Sequence, residues 1–419
     1  TSIRKNPFKK AAVLKEITQS PIPWCKHGYY LNERPSFTFD PFFHAGAYYV
    51  QEPSSMFIWY VLEQVFGEDT LNKKVLDLCA APGGKSTLLQ SYFADGLVVS
   101  NEVIKSRAAI LVENITKWGQ PNSIVTNNDP EHFNKLPDYF DLIVVDAPCS
   151  GSGLFRKDPS AINEWSTDNV LHCSMRQERI LLSILPSLKE NGILIYSTCS
   201  YSVEEDEQIA DWLANEMQME AIEINVPDAW NIVQSKSSKT HAVGYRFYPN
   251  LVKGEGFFIT VFKKNAATNS SKYKESKLVK PVKAELEQLQ SFYPMPNGFT
   301  SFKQNEAIRI FPECFCAILQ QLAAVLYIKK AGIEMGIVKT NSFIPAHELA
   351  VSILDKTNLP YIELNKEQAV QYLQRKELHL EGSNGWCLLK LEGTCLGWVK
   401  KLPNRINNYY PAEWRILKT

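Results

Sequence analysis

The sequence predicts an α/β chain built on a doubly wound parallel sheet, and three observations predict it. Apolar runs alternate with helix-like stretches from residue 57 to about residue 264. The strongest runs, such as Phe140-Asp141-Leu142-Ile143-Val144-Val145 and Gly192-Ile193-Leu194-Ile195-Tyr196, are apolar almost throughout, the pattern of strands covered on both faces. Each of these two runs ends in a tip of small, polar and thiol-bearing residues, the place where an open α/β sheet presents its ligands.

Residues 1–56 read as short strands and loops forming an amino-terminal substrate-binding subdomain. Its Arg4, Tyr48 and Tyr49 are candidates for substrate contact, with core packing favoured for the two aromatics. Val75-Leu76-Asp77-Leu78 begins the sheet and leads through Cys79-Ala80-Ala81-Pro82-Gly83-Gly84-Lys85-Ser86 into an amphipathic helix ending near Phe93. Leu97-Val98-Val99-Ser100-Asn101 is the next strand and carries Glu102 at its end. Ser123-Ile124-Val125-Thr126 follows, with Asp129 just beyond it. Helices are expected over 105–118, 174–189 and 204–217, the last opening on an acid-rich turn that suits a helix amino end. A late strand over 257–262 is expected to close the sheet.

The chemistry lies at the strand ends. Asp146-Ala147-Pro148-Cys149-Ser150-Gly151 and Ser197-Thr198-Cys199-Ser200-Tyr201 bring two thiols and a carboxylate to one crevice, a reaction centre for nucleophilic sulfur. Gly83 and Gly84 let backbone approach a ligand, and Glu102 stands roughly 20 residues beyond that turn, as a ribose-binding acid does. Gly84-Lys85-Ser86 suggests a triphosphate loop, but that loop needs a glycine where Cys79 stands. The cofactor is therefore a nucleoside without a triphosphate, and S-adenosylmethionine fits.

The motifs around Cys79–Lys85, Asp146–Gly151 and Ser197–Cys199 resemble the NOL1/NOP2/Sun family of RNA cytosine-C5 methyltransferases. Ser2-Ile3-Arg4-Lys5-Asn6-Pro7 and Val50-Gln51-Glu52-Pro53-Ser54-Ser55-Met56 are similar to its flanking segments. The resemblance implies a Rossmann-like S-adenosylmethionine-dependent methyltransferase domain. It implies cofactor contacts from Cys79, Ala80, Ala81, Pro82, Gly83, Gly84 and Lys85, with Glu102 at the ribose, Asp129 at the adenine and Asp146 toward the methionine. It assigns Cys199 as the thiol that adds to cytosine C6 and Cys149 as the thiol that helps release product. DNA cytosine-C5 enzymes use a Pro-Cys thiol instead, so position alone leaves Cys149 open as the nucleophile. Asp146 is placed to hydrogen-bond the base at N3 and Lys85 to assist electrostatically; Arg107, Arg156 and Lys157 are further candidates for RNA phosphate or adduct contacts. Gly151-Ser152-Gly153-Leu154-Phe155-Arg156-Lys157-Asp158-Pro159, and the tail from Gly397 to Trp414, point within the family to a bacterial branch acting on small-subunit ribosomal RNA. The tail is similar to that branch's PUA-like RNA-binding region.

The organisation expected is residues 1–56, a catalytic domain over 57–265, a basic linker over 266–290, a small mixed module over 291–358, and an RNA-binding domain over 359–419. The missing initiator Met leaves room for an absent amino-terminal segment. A hairpin about Glu392-Gly393 is expected in the tail. With 45 Lys and Arg against 45 Asp and Glu, net charge does not announce a nucleic-acid partner. Its distribution says more: residues 201–230 hold nine acids and no Lys or Arg, whereas residues 235–283 hold eleven Lys and Arg against two Glu. That basic block reads as an RNA-facing stripe or as a solvated linker. Nine cysteines without metal-ligand spacing indicate a reducing cytoplasm and no metal site, with Cys79, Cys314 and Cys316 read as packing residues and Cys314 and Cys316 as buried. No apolar run is long enough to span a bilayer. Alternative functions are a transfer RNA cytosine-C5 methyltransferase and a non-catalytic RNA-binding factor associated with the ribosome; a DNA methyltransferase would leave the Thr-Cys tip and the tail unexplained.

Overall fold

The computed structural model describes residues 1–417 apart from 18, 269–271 and 341, so part of the expected linker and the last two tail residues lie outside the described residues. Strands β1 (Ser2–Lys5), β2 (Gln19–Ile22), β3 (Cys25–Leu31) and β4 (Tyr48–Val50) form an antiparallel sheet in the order β2-β3-β1-β4. β5 (Lys74–Asp77), β6 (Leu97–Asn101), β7 (Ser123–Thr126), β8 (Phe140–Asp146) and β9 (Leu188–Thr198) then pair in parallel in the order β7-β6-β5-β8-β9. The chain steps outward from β5 to β7, then returns to the other side of β5 for β8. This reversal opens a crevice at the carboxyl ends of β5 and β8.

The apolar continuity of these strands has a direct cause. Val75, Val98, Leu142, Val144 and Ile195 pack into one core, while Leu76, Val99, Ile143, Val145 and Leu194 pack into another. Alternate side chains point to opposite faces, so a sheet buried on both needs apolar residues at both parities.

β10 (Glu220–Ala221), β11 (Val233–Lys236), β12 (Val243–Phe247) and β13 (Phe257–Lys263) extend the sheet antiparallel beyond β9. β13 was expected to close the sheet but lies inside it, with β12 and β11 further out. Gly244 makes that possible: a Cβ there would stand 2.4 Å from the Phe258 ring. The helix Lys105–Trp118 has the expected bounds. The helix expected over 174–189 runs from Thr167 to Ile184 instead, because Ser166 Oγ caps it by accepting from Asn169 N at 3.1 Å. Pro186 follows its end, and Leu188 already begins β9.

The remaining chain does not stand apart. β14 (Phe299–Gln304), β15 (Ala307–Pro312), β17 (Ile333–Lys339) and β18 (Ser342–Pro345) make one antiparallel sheet, whereas the intervening β16 (Ile328–Ala331) pairs with β7 of the central sheet. β19 (Tyr361–Glu363), β20 (Gly385–Leu391), β21 (Thr394–Leu402) and β22 (Arg405–Asn408) form the last sheet. Its β20–β21 hairpin turns on Glu392 and Gly393, with φ of 47° and 74°, the left-handed pair of a tight primed turn. Ile3, Leu31 and Tyr48 of the first sheet share one core with Leu389 and Val399 of the last, with Tyr372 from the helix Lys366–Leu373 and with Tyr410 just beyond β22. Truncating the tail would therefore strip the amino-terminal sheet of its cover.

The basic block is not a single stripe. Arg246 is buried against Asp206 and Glu207, and Lys264 Nζ donates to the carbonyls of Leu185 and Leu188. Tyr273 OH donates to Pro137 O at 2.6 Å, pinning the segment before residue 283 to the catalytic domain. Cys314 is exposed and Cys316 half-buried, so the expectation that both are buried fails: Cys314 lies in the short 3-10 turn Glu313–Phe315, from which Phe315 supplies the buried side chain. Trp398 is fully buried and donates its indole N–H to Ala346 O at 2.9 Å, joining the tail to the preceding sheet. Trp398→Ala should cost about 3–5 kcal/mol in urea unfolding, the range for deleting a buried aromatic.

Candidate active site

The two thiol-bearing tips meet just beyond β8 and β9, with Cys149 Sγ and Cys199 Sγ 3.1 Å apart. One buried carboxylate, not singled out in the sequence, draws the tips together. Glu205 accepts from Ser150 N at 2.8 Å, Ser150 Oγ at 2.5 Å and Ser200 Oγ at 2.6 Å. It also accepts from Gln177 Nε2 at 3.1 Å, and Gln177 in turn donates to Pro148 O at 3.0 Å. Behind it, Thr198 Oγ1 donates to Asp206 Oδ1 at 2.6 Å. The acid run thus begins by folding inward: Glu205, Asp206 and Glu207 are all buried, and the helix starts only at Glu207. Gly153 completes the clamp. Its N–H donates to Cys199 O at 2.9 Å, and a Cβ on it would come within 2.7 Å of that oxygen.

The two thiols are not equivalent. A hydrogen bond from Cys149 holds the Cys199 thiol below its ordinary pKa despite burial, aided by the nearby Lys85 ammonium. The same bond, reinforced by burial, pushes Cys149 well above the ordinary value. Of the two, Cys199 is the more acidic thiol.

Lys85 is the second residue of the helix Gly84–Tyr92 and pairs with Asp146 Oδ2 at 2.7 Å. Ser197 Oγ donates to Asp146 Oδ1 at 2.8 Å. Burial disfavours the Lys85 charge, but Asp146 and Asp77 more than offset this and raise its pKa overall. Asp146 acts here as an acceptor on both oxygens.

The loop between β5 and that helix lies across the same crevice. Gly83 caps the helix at φ 119°, a conformation open to glycine. Cys79, Ala80, Ala81, Pro82, Gly84, Lys85 and Asp146 line one side of a cleft of about 190 Å³, and residues 49–52 with Ser55 line the other. Beneath the loop, Asp77 is fully buried; Ser86 Oγ donates to Oδ2 at 2.6 Å, while Oδ1 has no partner among the described residues. Burial lifts the Asp77 pKa to about 7. Burial likewise pushes the Cys79 thiol up, consistent with a packing residue.

Glu102 is buried at the end of β6, accepts from Ile104 N at 2.9 Å, and stands 3.7 Å from Arg107 Nη1. Arg107 Nη2 donates to Ala81 O at 2.8 Å, so this arginine braces the loop. Asp129 caps the short helix Pro130–Lys135 by accepting from Glu131 N at 3.0 Å. Arg156 reaches Glu255 and Gly254 O, while Lys157 lines a neighbouring cleft with Arg34 and Lys253. Arg4 is no substrate residue: fully buried, it donates to Gly84 O, Thr87 Oγ1 and Gln51 Oε1 and so ties β1 to the loop's helix. Tyr48 is buried with its hydroxyl on Asp40, while Tyr49 reaches the cleft. Among the described residues no group of His, Cys, Asp and Glu is arranged to hold a metal, and no helix is long and apolar enough to cross a membrane.

Two predictions test this geometry. Removing the Cys149 donor by Cys149→Ala should move the pH midpoint of Cys199 alkylation upward by about one pH unit or more, the equivalent of losing a hydrogen bond to a charged group. An unchanged midpoint would dissociate the thiols. Glu205→Ala leaves four donors without their acceptor and should destabilise the protein by about 3 kcal/mol or more in denaturant melts; a loss under 1 kcal/mol would show that the tips hold without it.

The comparisons with known proteins agree along the chain. Residues 67–263 match the 16S rRNA methyltransferase RsmB/F family, residues 1–53 the N-terminal domain of 16S rRNA methyltransferase RsmF, and residues 360–416 the methyltransferase RsmF PUA domain. A ribosomal RNA small subunit methyltransferase F from Psychromonas ingrahamii is 31% identical over 409 residues, covering 94% of this chain and 84% of the relative. One of the same name from Vibrio parahaemolyticus is 29% identical over 431 residues, covering 97% and 88%. A solved methyltransferase homolog protein from Pyrococcus horikoshii is 30% identical with a TM-score of 0.54, covering 63% of this chain and 86% of that one. The chain belongs to the RsmB/F family of 16S rRNA methyltransferases, in the RsmF-like branch that carries an N-terminal and a PUA domain.

Proposed function

We propose that this protein methylates C5 of a cytosine in small-subunit ribosomal RNA, using S-adenosylmethionine and a covalent adduct to Cys199. The observation that carries the reading is the thiol pair at 3.1 Å beside the Lys85–Asp146 ion pair. A non-catalytic RNA-binding role gives no reason for that convergence.

Cytosine C5 is a poor nucleophile until a group adds at C6. The Cys199 thiolate forms the S–C6 bond, and the displaced electron pair moves onto the N3–O2 edge of the ring. Asp146 accepts from the exocyclic amine, and the Lys85 ammonium beside it compensates charge as it builds at N3. Bound S-adenosylmethionine supplies an electrophilic methyl group to the activated C5. The residues present suit that cofactor: the loop over 79–85 walls the cleft, and the unpartnered Asp77 Oδ1 lies beneath it. The Glu102 carboxylate at the end of β6 would take the ribose hydroxyls, and Asp129 the adenine edge.

Release needs a base for the C5 proton, after which the C6–S bond breaks and Cys199 leaves as thiolate. Cys149 is a poor base in the resting site because its proton is held by Cys199. Once Cys199 has become a thioether, that acceptor charge is gone; Cys149 then gives its proton to solvent and takes the one from C5, whose bonding pair re-forms the C5–C6 double bond as Cys199 leaves. The pair thus supports a sequence in which Cys199 attacks and Cys149 serves release.

Cys149→Ala should form the RNA adduct and fail to resolve it, giving a denaturation-resistant protein–RNA band, while Cys199→Ala should bind RNA without any such band. Trapping by Cys199→Ala alone would reverse the roles. Glu102→Ala should weaken S-adenosylmethionine binding by about 1–3 kcal/mol in calorimetry, and unchanged affinity would remove Glu102 from the site.

A further inference from the structure

Away from the thiols, the segment after β1 meets the last sheet and residues 350–357 around a cavity of about 570 Å³. Four lysines line it, Lys9, Lys10, Lys356 and Lys390, with Asp355 as the one carboxylate. That carboxylate turns to its own loop, accepting from Thr357 N at 3.0 Å and Thr357 Oγ1 at 3.2 Å. Nearby Glu392 pairs with Lys15 at 2.8 Å, and Glu363 accepts from Gly393 N at 3.1 Å. None of the four lysines has a salt-bridge partner among the described residues.

Two of the ammonium groups, those of Lys9 and Lys356, are nonetheless drawn inward. Lys9 Nζ donates to Ala45 O at 2.6 Å and Lys117 O at 2.5 Å. Lys356 Nζ donates to Ser352 O and Leu354 O, both at 2.6 Å. Lys390 Nζ sits 3.9 Å from the centre of the Tyr361 ring. Each ammonium has three donors, so Lys9 and Lys356 keep one N–H after their carbonyl bonds. Burial and the charge of Lys356 lower the Lys9 pKa; burial, with Lys390, brings Lys356 to about 8. A cluster of like charges held together without a counter-ion is stabilised by a bound anion.

Position favours one anion. Residues 2–10 run from Arg4, bonded to the carbonyl of Gly84 beside the cofactor loop, to Lys9 and Lys10 at this cavity. The same short segment thus joins the candidate active site to the lysine cluster. Resting on the RNA reading above, we propose that the cavity between the amino-terminal segment and the last sheet binds backbone phosphate of the RNA substrate through Lys9, Lys10, Lys356 and Lys390.

The test compares the full chain with its Lys356→Gln/Lys390→Gln variant, neither residue belonging to the reaction centre. Binding to a small-subunit ribosomal RNA transcript is titrated across salt. The variant should bind about tenfold more weakly, and its log affinity–log salt slope should be shallower by roughly 1.4, at about 0.7 per phosphate contact on single strands. S-adenosylmethionine affinity should stay unchanged, and the Lys356→Arg/Lys390→Arg variant should recover RNA affinity. Equal affinity and slope in parent and Gln variant would overturn the proposal while leaving RNA methylation standing. Loss of RNA binding by the parent would overturn both. If inorganic phosphate raises the Tm of the parent but not of the Gln variant, with RNA binding equal in the two, the cavity is a free-anion site and the RNA assignment falls.

Discussion

The Glu205 carboxylate is the constraint on which the reaction centre depends. The loops after β8 and β9 come from strands that are neighbours in space but about fifty residues apart in sequence, and backbone pairing ends where the loops begin. Beyond that point, Glu205 gathers a backbone N–H and a hydroxyl from one loop and a hydroxyl from the other, all within 2.8 Å. An ionised group in a dry site makes strong bonds when several donors surround it, and it leaves those donors costly orphans when removed. Because the thiols stand immediately before Ser150 and Ser200, fixing the serines fixes the sulfurs. Their 3.1 Å separation then makes one a donor to the other, and the difference in their acidities follows.

A similar economy operates on the cofactor side. Arg4 carries the amino-terminal sheet to the helix that presents Lys85, and Arg107 links the loop over 79–85 to Glu102. Arg4 is buried and spends its donors inside the protein, whereas Arg107 braces the loop with half of its side chain exposed. The shared core of the first and last sheets explains why the tail belongs to the same body as the active site rather than hanging from a linker. The tail is thereby held in place relative to the thiols.

Much of this was legible in the sequence, and for physical reasons. Parallel strands buried on both faces are apolar at both parities over most of their length, so β5 to β9 announced themselves, as did the Glu392-Gly393 turn. The doubly wound domain, the family and the ribosomal RNA chemistry read from the strand-end motifs agree with the comparisons. Glu205 was not legible, because a lone Glu in an acid-rich run reads as a solvated helix start; its role exists only through partners at Ser150 and Gln177. The helix over Thr167–Ile184 starts seven residues earlier than expected because the Ser166 cap, a single polar side chain ahead of a polar first turn, sets it. Charge counts in the basic block likewise do not register that Arg246 and Lys264 point inward. The lysine cavity was hidden for the same reason in reverse: Lys9, Lys356 and Lys390 are far apart in sequence and meet only where the two ends of the chain pack together.

The central claim is that Cys199 is the more acidic thiol and that this sulfur forms the bond to the base. RNA carrying 5-fluorocytidine at the target position tests it in the unmutated protein, because fluorine at C5 cannot leave as a proton does and the adduct accumulates. Proteolysis and mass spectrometry of the stalled complex would locate the attachment. The account predicts a nucleotide on the peptide containing Cys199, with Cys149 free to be alkylated. Attachment at Cys149, with Cys199 recovered as a free thiol, would contradict it.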